Sequence, residues 1–201
     1  MAALPRAFFA RDPREVGPAL LNKLLVAADG RAGRIVEVEA YLGAIDPAAH
    51  SVRGPTPRTA SMFGPAGHLY VYRSYGLHWC ANVVAGAVGE GVAVLLRALR
   101  PVAGLAAMRS ARAGIRRDLD LCRGPGRLCQ AMAIDGSHDG LDLLAPASAF
   151  VVVDDGVAPP AVPAATVRIG ISVATDRPWR WHVPDEPHVS GPRRPLPTPR
   201  D

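Results

Sequence analysis

Lysine is almost missing. One residue, Lys23, stands against 22 arginines in a chain of 201. Chemistry that needs an amine for a Schiff base therefore has a single candidate. Cysteine is scarce as well: Cys80, Cys122 and Cys129 form no CxxC pair. That count argues against a disulfide framework and against a zinc site, and buried free thiols are expected. No apolar run approaches a membrane span. The opening MAALPRAFFARDPRE has no basic segment leading into a long apolar core. No signal peptide is expected, and a cytoplasmic location follows. GPGRLCQAM has the glycines of a phosphate loop but not the GxxxxGK[ST] spacing or its lysine. Tyrosine stops early: Tyr41, Tyr70, Tyr72 and Tyr75 are all there are.

What is present reads as an ordinary globular chain, 49% hydrophobic, with a net charge of +5. The length suits one full-sized domain or two small ones. No internal repeat or linker divides it, so one domain over 1–201 is expected, with a Pro/Arg-rich tail from about residue 185. The charge favours a polyanionic partner. The preference for arginine over lysine is explained largely by genome base composition, yet arginine still suits phosphate.

Strand signals dominate. LLVA (24–27), RIVEVEAYL (34–42), 68–73, 77–84, VAVLLRAL (92–99), FVVV (150–153) and TVRIGISV (166–173) read as strands. Asp29-Gly30 marks a hairpin turn. Helices are expected at 12–22, capped by Asp12, at 104–117 and at 124–134. Their placement is irregular, without βαβ alternation. The fold class expected is α+β, around a mostly antiparallel sheet.

Four features point to chemistry. Glu37 and Glu39 share a strand face with Tyr41 because side chains alternate along a strand. Either they are two solvated carboxylates on an exposed face, or one is a general base in a pocket. The long loop 43–67 carries His50. Tyr72 and Tyr75 bracket the Arg73–Gly76 turn, and a turn tip is a poor place to bury a ring but a good place to push one into something else. Arg97, near the end of an apolar strand, needs a partner or a function, because burying it alone is costly.

The segments IVEVEAYLG, DPAAHSVRG, TPRTASMFGPAGHLYVYRSYGLHWCANVV, VLLRALRP and LCRGPGRLCQAMAI, in that order, resemble the alkyladenine (3-methyladenine) DNA glycosylase family. RIGIS and PWRWHV match its closing strands more loosely. The resemblance implies a single mixed domain around a curved antiparallel sheet, working as a monomer without metal or organic cofactor. The implied partner is double-stranded DNA with damaged purines, in base excision repair at the nucleoid, with no membrane. It implies that Glu39 activates water and that Arg97 helps hold the water and Glu39. Tyr41, His50 and Tyr72 would wall the pocket for the flipped base, Asn82 would crowd the 2-amino group of guanine, and Tyr75 would fill the gap left in the duplex. Phosphate contacts are expected from Arg53, Thr56, Arg58, Gly124, Gly126 and Arg127. Arg112, Arg116 and Arg117 stand where animal relatives carry lysines. With Lys23 far from the tyrosine block, a monofunctional hydrolase that leaves an abasic site is expected.

Two other readings compete. A single-strand-binding module with a tyrosine platform explains the rings and the charge, but not two glutamates that would repel phosphate. A glycoside hydrolase needs two flanking carboxylates, whereas Glu37 and Glu39 lie on one strand about 7 Å apart by strand rise.

Overall fold

The computed structural model describes residues 1–191. The last part of the Pro/Arg-rich tail, 192–201, lies outside the described residues. The fold is α+β, with few, short helices around a curled antiparallel sheet.

In chain order, β1 (Ala2–Ala3), α1 (Arg6–Phe9) and α2 (Pro13–Leu20) lead into the hairpin of β2 (Leu24–Ala27) and β3 (Ala32–Leu42). A long loop precedes β4 (Leu69–Ser74), β5 (His78–Ala85) and β6 (Val92–Ala103). Then come α3 (Leu105–Ala111), α4 (Pro125–Met132), β7 (Phe150–Asp154), β8 (Ala164–Thr166) and β9 (Arg180–His182). The sheet runs β1-β7-β2-β3-β6-β5-β4, and β9 pairs with the middle of β3 and with β8. All pairings are antiparallel. Leu21, Leu25, Ile35, Leu69, Leu96 and Met108 pack the main core with no exposed surface.

Local chemistry explains the ends of the elements. Asp12 caps α2, its carboxylate accepting from Arg14 N at 2.7 Å. At the β2–β3 turn Gly30 takes φ +89, which glycine adopts without a Cβ clash. β3 is the central strand and is buried on both faces except at Tyr41, so its alternation does not divide core from solvent.

The β3–β6 pairing is irregular where it matters. Ile35 faces Leu99, Glu37 faces Ala98 and Val38 faces Leu96, so Val36 and Arg97 are each one residue extra. Bulges of this kind re-aim side chains, often beside functional sites.

Three sequence expectations are corrected. Helix 104–117 ends at Ala111, because Arg112 turns back to give its guanidinium to the carbonyls of Asp120 and Leu121. Strand 166–173 ends at Thr166; beyond it the chain turns inward, with Arg168 pairing Asp46 at 2.5 and 2.8 Å. The exposed-face reading of Glu37 and Glu39 fails, since both have 0% exposure: β9 pairs with β3 at this point, Ser190 N donates to Glu37 and Ile169 N donates to Glu39.

Candidate active site

A cavity of about 630 Å³ opens among β4, β5, the long loop and the segment 169–173. The sequence-selected Tyr41, His50, Arg58, Tyr72, Tyr75, Asn82 and Arg97 all line it. Residues separated by more than fifty positions thus meet because β3, β6, β5 and β4 are consecutive neighbours in the sheet.

The aromatic wall has an order. Tyr72 stacks on Tyr70 with centroids 5.4 Å apart and planes at 26°. His50 stands edge-on to Tyr72 at 4.4 Å, and its Nδ1 shares a hydrogen bond of 2.9 Å with the Tyr70 hydroxyl. The Arg58 guanidinium lies 5.7 Å from the centre of the Tyr72 ring. Burial pushes the Tyr70 hydroxyl up to about 12 and Tyr72 higher still. Burial, then the charge of Arg58, lowers His50 below its ordinary value and favours the neutral ring.

Glu39 lies directly behind the wall. Tyr41 donates its hydroxyl to Oε2 at 3.0 Å, Ile169 N donates to Oε1 at 2.8 Å, and Arg97 Nη1 stands 3.1 Å from Oε1. All three partners line the cavity, whereas Glu39 does not. Burial, then the Glu39 charge, raises the Tyr41 hydroxyl well above its usual value, so it remains a donor.

Glu37 is held by different partners. It accepts from Arg97 Nε at 2.9 Å, Arg180 Nε at 2.6 Å and Ser190 N at 2.6 Å. Burial alone would raise its carboxyl; Arg97 and Arg180 outweigh this and hold it below the ordinary range. Burial likewise disfavours charge on Arg97, and Glu39 and Glu37 outweigh it.

Tyr75 occupies the tip of the β4–β5 hairpin and is 87% exposed. Its φ is +50 and that of Gly76 is +67, while Leu77 N closes the turn on Ser74 O at 3.0 Å. A left-handed tyrosine costs about 1–2 kcal/mol, and here that strain goes with a ring left largely exposed at the edge of the cavity. Asn82, buried on β5, donates Nδ2 to Tyr70 O at 3.0 Å.

The other selected residues lie outside the cavity wall. Arg53, Thr56 and Arg127 are exposed, and Thr56 is tied to Thr59 Oγ1 at 2.9 Å through its N–H. Gly124 and Gly126 flank Pro125, which does line the cavity. A Cβ at Gly126 would come within 2.9 Å of His78 Cβ, so close packing of α4 on β5 already requires that glycine. Of the basic trio near α3, Arg112 is committed internally, Arg117 pairs with Asp120 at 2.7 Å and Arg116 is exposed.

Sequence reasoning missed Tyr70 as a wall residue and the whole segment from Arg168 to Val173. Parity along β4 places Tyr70 beside Tyr72, which was a usable signal. Nothing local marks Ile169 as a donor to a glutamate 130 positions away. Among the described residues no group of three His, Cys, Asp or Glu side chains could hold a metal ion. No described helix is long and apolar enough to cross a membrane. Lys23 is buried in a pair with Asp154 at 2.7 Å and does not line the cavity.

The family model for methylpurine-DNA glycosylase matches residues 7–187. A provisionally named 3-methyladenine DNA glycosylase of Burkholderia lata is 64% identical over 191 residues, covering 95% of this chain and 92% of that protein. A protein of the same provisional name from Nitrobacter winogradskyi is 49% identical over 191 residues, covering 95% and 88%. Another, from Koribacter versatilis, is 48% identical over 198 residues, covering 96% and 95%.

Proposed function

From the fact that this chain belongs to the methylpurine-DNA glycosylase family, we propose that it is a 3-methyladenine DNA glycosylase of base excision repair that flips damaged purines out of duplex DNA and hydrolyses their N-glycosidic bond with a Glu39-activated water. The observation that carries this reading is the placement of Glu39 immediately behind a cavity walled by Tyr41, His50 and Tyr72.

Tyr75 enters the duplex and fills the space of the extruded nucleotide. The base stacks between Tyr41 on one side and Tyr72 with His50 on the other. Asn82 on the cavity wall crowds a 2-amino group. As the bond from C1′ to the purine nitrogen breaks, its electron pair leaves with the base and positive charge develops on the sugar. The Glu39 carboxylate stabilises that charge and takes a proton from water, whose oxygen bonds to C1′. Arg97 orients the carboxylate. Because Glu39 is covered in the free protein, water reaches it by displacing one of its present contacts as the nucleotide seats; catalytic hydrogen bonds commonly rearrange on substrate binding.

A cationic base gains about 0.5–2 kcal/mol from aromatic stacking, and damaged bases are cheaper to unstack than intact ones. With its one lysine remote and paired, the chain leaves an abasic site and does not nick the strand. Arg53, Thr56, Arg58, Gly124, Gly126 and Arg127 supply phosphate contacts at or near the rim. The protein acts as one domain over 1–201, as a monomer, in the cytoplasm at the nucleoid. A tyrosine platform that only binds single strands is disfavoured by Glu39, which such a platform does not need.

The test is product analysis on duplexes each carrying one lesion: 3-methyladenine, 7-methylguanine, hypoxanthine or ethenoadenine. Release of free base with an intact strand carrying an abasic site is expected. Binding without release from any of the four contradicts the proposal.

A further inference from the structure

Arg168 has no exposed side-chain surface. Its guanidinium forms a two-pronged pair with Asp46, at 2.5 and 2.8 Å, and gives a further hydrogen bond of 3.0 Å to Ala40 O. Its central carbon lies 4.7 Å from the centre of the Tyr41 ring and 5.1 Å from that of Trp179. Tyr41 lines the cavity and Arg168 does not, so the cation sits behind the ring. Its Nε is buried and has no hydrogen-bond partner among the described residues.

Stability is a poor explanation for such a group. Buried ion pairs often stabilise no more than apolar packing of the same volume, and the unpartnered Nε adds a cost. What the arrangement does supply is position. Ala40, whose carbonyl it holds, lies between Glu39 and Tyr41 on β3. Asp46 also accepts from Leu42 N and Ala48 N, each at 3.2 Å, fixing the start of the loop that carries His50. The residue after Arg168 is Ile169, whose N–H donates to Glu39. One side chain therefore ties together the stacking ring, the histidine loop and the segment that covers the carboxylate.

We propose that Arg168, clamped by Asp46 and stacked behind Tyr41, is a positioning residue that sets the Tyr41 wall and the Glu39 carboxylate in register for the extruded base. This rests on the glycosylase reading above. Arginine is required because a lysine ammonium can neither form the planar two-pronged pair nor stack in the slot between Tyr41 and Trp179.

The test is Arg168→Lys, assayed at a temperature where circular dichroism shows it folded. Single-turnover release of hypoxanthine is expected to fall roughly tenfold to hundredfold, the cost of small misplacements at a reacting centre. Affinity for a duplex that already contains an abasic site is expected to stay within about twofold, since no base occupies the pocket; that bound follows from the pocket being bypassed. Unchanged release overturns the proposal. Parallel loss of release and abasic-site affinity also overturns it, in favour of general support of the fold. If Arg168→Lys does not fold, Trp179→Leu removes one ring of the slot and leaves the Asp46 pair; several-fold slower release with abasic-site affinity held is expected, and wild-type release overturns the proposal. Stacking is read separately by the fluorescence of an ethenoadenine duplex on binding. Quenching by the wild type that Arg168→Lys loses supports the positioning role even if the wild type frees no base, an outcome that defeats the glycosylase reading alone. Equal quenching by both proteins counts against Arg168.

Discussion

Glu37 and Glu39 share one arginine. Arg97 Nε lies 2.9 Å from Glu37 and its Nη1 3.1 Å from Glu39, and neither carboxylate has exposed surface. The bulges around Glu37 and Arg97 make this bridge, since the extra residue on β6 is Arg97 itself. The rest of the surroundings divides the two glutamates. Glu37 is locked by Arg180 and Ser190, whereas the three groups that hold the Glu39 carboxylate, Tyr41, Ile169 and Arg97, all line the cavity.

Glu37→Gln is expected to cost stability first. Breaking a buried ion pair from one side typically costs about 3–5 kcal/mol, and the new amide would face the N–H of Ser190. Because the carboxyl is held below its ordinary value, the stability it contributes is fully present above the unfolded glutamate value of 4.5 and is lost as the pH falls through the lower folded value. Chemical denaturation from pH 7 down to 3 should show a lower plateau and a flatter acid limb in the variant. Unchanged curves would mean that Glu37 is not the ion that ties the C-terminal segment to β3.

Tyr75→Ala should leave stability within about 0.5 kcal/mol, as surface changes usually do. Release from a well-paired lesion should slow more than release from a lesion in a mismatch, where extrusion is cheaper. Equal slowing on both duplexes would place Tyr75 outside the flipping step.

Asn82→Ser removes the hydrogen bond to Tyr70 O, at a cost of about 1 kcal/mol. It should admit undamaged guanine, because exclusion by contact vanishes when the contacting side chain is shortened. The measurement is guanine released from mismatched DNA by variant and wild type. Loss of activity on every lesion with no gain on guanine would make Asn82 a structural residue.

Local patterns singled out Glu39, Tyr41, Tyr75 and Arg97 as candidates, whereas the roles given to His50, Tyr72, Asn82 and Arg97 came from the family resemblance. The EVEAYLG strand, the tyrosine hairpin and the VLLRAL strand each carry a pattern that survives folding, and the sheet order then brings them together. The rest depends on partners far away in sequence. Glu37 looked solvated because Arg180 and Ser190 lie 143 and 153 positions away. TVRIGISV alternates like a strand, yet Arg168 gains more from Asp46 and two aromatic faces than from a ladder. Helix 104–117 stops short because Arg112 finds backbone carbonyls beyond it, which periodicity does not record.

On the proposed mechanism Glu39, and not its strand neighbour, activates the water. The most direct measurement is single-turnover base release from a hypoxanthine duplex by Glu39→Gln, beside Glu37→Gln at a temperature where both are folded. Glu39→Gln is expected to bind the lesion duplex and to lose release by about 10²-fold or more, in the range of general-base effects, while Glu37→Gln loses much less per folded molecule. Near-normal release by Glu39→Gln, or a larger loss in Glu37→Gln, would contradict the claim.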